Sequence, residues 1–232
     1  MLTEFVVRLI NLIAPKQCVM CGCRLAIGEE VICSSCNYEL PRTDYCHKPY
    51  DNDMAKLFWG QIPIEKAAAL FFYRAHSDSS RILYSLKYLD HPEVGELMGR
   101  FMAKEFGRYG FFDDIDVIVP VPLTRGRKFS RGYNQSMEIA SGVKEITHIP
   151  IMKNAVRRHS FTASQTEMNR WQRNDNVSNV FVCDHRKNLN GRHVLIIDDV
   201  VTTGATIISC AGELMKCGAA KFSVMSIGFT KT

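Results

Sequence analysis

The 232-residue chain is 46% hydrophobic, 23% charged and 10% aromatic, with a formal charge of +5. At one domain per roughly 150 residues this is one full domain plus a small appendage, and that apolar content excludes a disordered chain. The longest apolar run, Ala67 to Tyr73, falls far short of the ~20 residues a bilayer crossing needs, so no membrane insertion is expected.

At the N-terminus Leu2, Phe5, Val6, Leu9, Ile10 and Ile13 recur at helical spacing, interrupted by Glu4 and Arg8, and read as a short amphipathic helix. No small-residue cleavage site follows, so it is not read as a targeting segment. Six of the nine cysteines lie between positions 18 and 46. An odd, clustered set is unlike the disulfide framework of a secreted scaffold, and a reducing, cytoplasmic location is expected.

Cys18-Val-Met-Cys21 and Cys33-Ser-Ser-Cys36 are two C-x2-C pairs separated by eleven residues, the spacing of two metal-binding knuckles. Such a turn converges two thiolates on one ion and points amides at the sulfurs, and the residue after its second cysteine often takes positive φ. Gly22 and Asn37 suit that conformation. One structural Zn²⁺ held by Cys18, Cys21, Cys33 and Cys36 is expected, with redox-active or merely buried thiols as the alternative. Cys23 is a spare, Cys46-His47 lacks a second pair, and Cys183, Cys210 and Cys217 read as isolated small hydrophobes. The first sixty residues hold six Lys or Arg and seven Asp or Glu, so this part is near neutral. A boundary near Gly60 divides the chain into a zinc-binding module, 1–60, and a second domain, 61–232.

Asp116 to Pro122 is a continuous apolar strand ending in prolines, and Leu123 to Gln135 reads as a basic loop with Gly126 and Gly132. From Val121 to Arg173 there are ten Lys or Arg against three acids. A solvated basic face is one reading; the glycines and serines among these charges favour an anion site. Arg157 and Arg158 stand in a polar stretch that looks like a loop, where lid arginines and solvated arginines are both open readings.

His193 to Ile197 is a β-branched strand that stops at Asp198-Asp199-Val200-Val201-Thr202-Thr203-Gly204-Ala205-Thr206, before a helix reaching Cys217-Gly218. In open α/β sheets ligands sit at the carboxyl ends of strands, and a Gly-containing loop entering a helix favours phosphate. The paired carboxylates suit a ribose diol and the threonine hydroxyls a phosphate, so the string describes a ribose 5-phosphate site. An acidic turn with a threonine cap is the plainer alternative.

The run Leu195-Ile-Ile-Asp-Asp-Val-Val-Thr-Thr-Gly-Ala-Thr206 resembles the phosphoribosyl pyrophosphate (PRPP) signature of type I phosphoribosyltransferases. Val119-Pro-Val-Pro-Leu123, with Arg127, Arg131 and Gly132-Tyr-Asn-Gln135, resembles the corresponding stretch of the ComF family of competence-associated proteins. The four-cysteine module, Ser85-Leu-Lys87-Tyr88 after a predicted helix, Arg157-Arg158 to Thr162, Ser164-Gln165-Thr166, Arg170 and Asn176 follow the ComF order. Two departures stand out: only Cys46 remains where the family commonly has further cysteines, and Ser160 stands where an arginine is frequent.

The resemblance implies a parallel-sheet α/β type I phosphoribosyltransferase fold with a small N-terminal zinc-ribbon-like module. It implies a catalytic role for Asp198, Asp199 and Lys87. The 5-phosphate would lie on Val200, Thr202, Thr203, Gly204, Ala205 and Thr206, and the pyrophosphate on Arg127, Arg131 and Mg²⁺. Arg157, Arg158 and Gln165 are further substrate-binding candidates. PRPP or a ribose 5-phosphate is the implied ligand. The implied setting is DNA uptake in natural transformation with a helicase-like competence partner, with ribosyl transfer to an acceptor no residue identifies. The alternative is a non-catalytic single-stranded DNA-handling or adaptor module on the same fold.

Overall fold

The computed structural model describes residues 16–88, 91–123, 132–158 and 180–231. The amphipathic N-terminal segment, Arg127, Arg131, Ser160, Gln165, Arg170 and Asn176 lie outside the described residues, as do six of the ten basic residues between Val121 and Arg173.

The described elements, in chain order, are α1 (Ser34–Glu39), a 3-10 turn (Tyr45–His47), α2 (Asp53–Lys56), β1 (Ile64–Phe72), α3 (Ser80–Tyr88), α4 (Pro92–Gly107) and β2 (Val117–Pro120). They continue with α5 (Gln135–Thr147), β3 (Val156–Arg158), β4 (Phe181–Cys183), β5 (His193–Val201), α6 (Ala205–Lys216) and β6 (Lys221–Phe229). Four strands form one sheet in the order β1-β6-β5-β2, every pairing parallel. β3 and β4 make a separate antiparallel ribbon. No described helix is long and apolar enough to cross a membrane.

The near-continuous apolar runs of β1, β2, β5 and β6 follow from burial on both faces, as expected of a parallel sheet. One face carries Leu70, Ile118, Leu195, Ile197 and Ile227, packed against α3, α4 and α5. The other carries Ala69, Val119, Val194, Ile196 and Val224, packed against α2, α6 and the β3–β4 ribbon. α4 and α5 cross almost backbone to backbone: a Cβ added at Gly99 would meet the Ile139 carbonyl oxygen at 2.1 Å, and one at Gly142 the Glu96 carbonyl oxygen at 1.9 Å. Only glycine fits either position.

The four-cysteine module rests on the α3/α4 layer. Met20, Val31 and Ile32 join the core that contains Leu86, Met98 and Met102. Three arginines bridge the two parts. Arg81 donates to the Met20 carbonyl at 2.7 Å, Arg42 joins the Asn37 side chain at 2.8 Å to Glu105 at 3.0 Å, and Arg100 reaches Glu30 at 3.7 Å as well as Glu96 and Glu145. Residues 41–49 run along β1, where the Phe72 amide donates to Pro41, the Thr43 amide to Leu70, and the Ala67 amide to Pro49.

Several local expectations change. β5 does not stop at Ile197 but runs through both aspartates, because β6 is long enough to pair Asp198 with Ser226 and Val200 with Gly228. Arg157 and Arg158 lie on β3 rather than in a loop. Ser85 to Tyr88 are the last turn of α3 itself rather than a segment after it. Asn37 does not take positive φ, since Cys36 and Asn37 are inside α1, whereas Gly22 does, at +74°.

Candidate functional site

β2 leads into α5 on one face of the sheet, and its neighbour β5 leads into α6 on the other. Adjacent strands whose connections leave to opposite faces open a crevice at their carboxyl ends, the place where open α/β sheets bind ligands. Asp198 and Asp199 stand at that place.

Ile197 and Val200 both pack on the α3/α4/α5 side although they are three residues apart, so strict alternation is lost across the aspartate pair. Both acids are met from that side. Asp198 Oδ1 accepts from Ser136 Oγ of α5 at 3.1 Å and from the Asp199 amide at 2.9 Å. Lys87 Nζ of α3 forms an ion pair with Asp199 Oδ2 at 2.9 Å, with both side chains largely buried. The site thus uses the last turn of α3, the first turn of α5 and the end of β5. Burial and, secondly, the neighbouring Asp199 charge push the Asp198 carboxyl up to about 7, against the opposing pull of its two hydrogen bonds and Lys87.

The chain then turns sharply. Gly204 has φ +77° and caps α6 at its N-terminus, and a Cβ there would come within 2.9 Å of the Phe58 ring. Phe58 and Leu57 follow α2, so that short helix is what presses the turn into shape. Thr202, Thr203 and Ala205 are exposed and Thr206 is partly buried. The Thr203 hydroxyl accepts from the Ala205 amide at 3.5 Å. No acidic residue occupies the first turn of α6, so the positive end of that helix keeps its attraction for an anion.

On the β2 side Asn134 caps α5, accepting from the Ser136 amide at 3.2 Å and donating to Val121 at 3.0 Å. The next residue, Gln135, is buried, and neither its amide nitrogen nor its oxygen has a hydrogen-bond partner. An orphaned buried amide beside an anion-attracting turn and two carboxylates fits a polar phosphate-bearing ligand with its cation. Ser136 and Phe58 were not singled out from sequence, and Gln135 only as the last residue of the Gly132-Tyr-Asn-Gln135 stretch, where it opens α5 instead of closing a loop. An asparagine before an apolar helical pattern does signal the cap that positions Gln135 and Ser136.

Arg157 and Arg158 are placed on the ribbon. Arg157 pairs with Asp184 at 3.7 Å, and Arg158 lies over the Phe181 ring at 5.4 Å. Arg186 and its amide hold the Asp184 carboxyl down to about 2.

In the N-terminal module the sulfurs of Cys18, Cys21, Cys33 and Cys36 all lie within 4.8 Å of one another. The Cys23 amide bonds to the Cys21 sulfur and the Cys36 amide to the Cys33 sulfur, lowering both pKa values. Four convergent thiols with amides turned to them have the composition and form of a structural zinc site. Cys23 lies outside the four, its sulfur 3.1 Å from that of Cys21. Cys46 is buried in the core and His47 packs on Tyr109, so neither joins it. Cys183 and Cys217 are not isolated: they are joined to each other.

The phosphoribosyl transferase domain profile matches residues 85–229, from the end of α3 to the end of β6. The chain belongs to that family. Similar proteins include the DNA utilization protein YhgH of Escherichia coli K12, 29% identical over 228 residues, 92% of this chain and 96% of the relative. Competence protein F of Haemophilus influenzae is 24% identical over 221 residues, 91% and 96% of the two chains. Competence protein ComFC of Bacillus subtilis is 27% identical over 105 residues, 45% and 40% of the two. These relatives, with the domain match and the four-cysteine module, mark the chain as a ComF-type phosphoribosyl transferase-like protein.

Proposed function

We propose that this protein binds PRPP with Mg²⁺ at the carboxyl ends of β2 and β5, and transfers the ribosyl 5-phosphate to an acceptor in a DNA-uptake setting in the cytoplasm. The observation that carries this reading is the aspartate pair at the crevice running directly into the Gly204 turn and α6. Asp198 and Asp199 would accept from the ribose hydroxyls. The turn from Val200 to Thr206 would hold the 5-phosphate through its amides and hydroxyls. Arg127, Arg131 and Gln135 would face the pyrophosphate, with Arg157, Arg158 and Gln165 closing on the ligand. When bound, Mg²⁺ neutralises phosphate charge as the pyrophosphate leaves. The chain's own share is positioning and charge complementarity around an oxocarbenium-like centre, with no nucleophilic side chain required. Lys87, paired with Asp199, is the cation that would turn from carboxylate to phosphate oxygen as the ligand enters. Residues 1–60 would contribute one structural Zn²⁺ on Cys18, Cys21, Cys33 and Cys36, and residues 61–232 the phosphoribosyl site.

Calorimetric titration with PRPP tests this reading. A saturable heat near one ligand per chain that requires Mg²⁺ supports it; no heat from folded, zinc-containing protein overturns it.

A second reading, handling of single-stranded DNA with or without a helicase-like partner, is favoured by Tyr84 and Tyr88. Their rings are 5.0 Å apart at 39° and exposed, on the helix that carries Lys87. Exposed aromatic rings beside a cation offer faces on which bases stack with little regard to sequence. Affinity for an oligonucleotide should then fall steeply with salt and fall again in Tyr84→Ala.

A further inference from the structure

The β3–β4 ribbon consists of two three-residue strands, too short to be stable alone. It is held to the body by Val156 and Phe181 packed into the α6 layer, and by one covalent tie. Cys183, the last residue of β4, is bonded to Cys217, the C-cap of α6, with their Cα atoms 6.5 Å apart, inside the range a disulfide spans. His185 completes the cluster: its Nδ1 lies 3.7 Å from the Cys217 sulfur, and the imidazole is exposed while both cysteines are buried. No part of the phosphoribosyl site or the four-cysteine module uses these three residues.

We propose that Cys183 and Cys217 are a reversible thiol–disulfide pair, served by His185 as the base for the Cys217 thiol, whose oxidant is a low-molecular-weight disulfide of the glutathione class. In the forward direction Cys217 gives its proton to His185, and the thiolate attacks one sulfur of the small disulfide. That disulfide's S–S bond breaks and one small thiolate leaves, taking up a proton. Cys183 then displaces the second small thiol from the mixed disulfide, forming the Cys183–Cys217 bond. Two electrons and two protons have passed to the small disulfide, which departs as two thiols. The exposed imidazole is the face a small reagent can reach, and the buried partner sulfur behind it is placed to resolve the mixed disulfide. In a compartment that keeps most thiols reduced, such a bond is a sensing rather than a scaffolding element. Its closure fastens the ribbon bearing Arg157 and Arg158 to α6, whose opposite end is the Gly204 turn.

The test uses the full zinc-containing chain, incubated with reduced and then oxidised glutathione, quenched with an alkylating agent, digested and analysed by mass spectrometry. Oxidised glutathione should yield a peptide linking Cys183 to Cys217, reduced glutathione should return both as alkylated thiols, and Cys210 should stay unlinked throughout. His185→Gln should reach the same end point about tenfold more slowly, and Cys183→Ser should trap glutathione on Cys217. Absence of the linked peptide, or an unchanged rate in His185→Gln, overturns the proposal. So does a second zinc per reduced chain that is lost in Cys217→Ser, since the cluster is then a metal site.

Discussion

Asp198→Asn removes the one carboxyl of the site whose ionisation opposes folding. Its folded pKa of about 7 lies roughly three units above the unfolded value, because burial and Asp199 disfavour the charge. The stability contributed by the protonated form is complete below about pH 4 and is lost as pH rises through about 7. Three units correspond to ~4 kcal/mol, and the partial exposure of the strand end reduces this to about 2–4 kcal/mol. Asparagine keeps an Oδ1 to accept from Ser136 and the Asp199 amide, so both hydrogen bonds survive. The variant should therefore melt about 5–10 °C above the parent at pH 8, with the gain shrinking to nothing near pH 4. Differential scanning calorimetry of both chains from pH 4 to 8, without ligand, reads this directly. A difference that does not change with pH, or a variant less stable at pH 8, would refute the reasoning that Asp198 is strained by its own charge.

Gly204→Ala puts a Cβ at positive φ and against the Phe58 ring, and urea denaturation should show a loss of about 1–3 kcal/mol. Lys87→Met leaves the Asp199 carboxylate without its 2.9 Å partner; a loss of about 1–2 kcal/mol by the same method is expected, together with weaker PRPP binding by calorimetry. Stripping zinc with a chelator, or Cys36→Ser, should lower the melting temperature of the whole chain rather than of the module alone, because Met20, Val31 and Ile32 share a core with α4; a single unchanged transition in metal-free protein would contradict this.

The parallel sheet and the strand–turn–helix at its carboxyl edge were legible because β5 and α6 announce themselves: an apolar run, two acids, a glycine and a helical period follow one another between His193 and Lys216. The paired C-x2-C spacing was equally direct. What escaped was set by distant partners. β5 continues past Ile197 because β6 pairs with it, and nothing in His193 to Val201 alone says so. Asn37 is helical because α1 begins at Ser34, so the second knuckle closes on a helix instead of a glycine-like turn. Ser136 reaches Asp198 across 62 residues of sequence, and Phe58 reaches Gly204 from α2. Cys183 and Cys217 look solitary in the chain because the ribbon and the end of α6 meet only in three dimensions. Tertiary contact, not local propensity, decided each of these.

If the aspartate pair and the Gly204 turn form a working ribose-phosphate site, a thermal-shift titration with Mg²⁺ and PRPP will reveal it. A ligand that binds only the folded chain raises its stability by RT ln(1 + [L]/Kd), so the melting temperature should climb with PRPP. The rise should vanish in the Asp198→Asn, Asp199→Asn double variant, while that variant stays folded. A parent protein that is folded and zinc-loaded yet unmoved by PRPP, or a double variant that responds as the parent does, would show that the aspartates and the Gly204 turn hold no ribose phosphate.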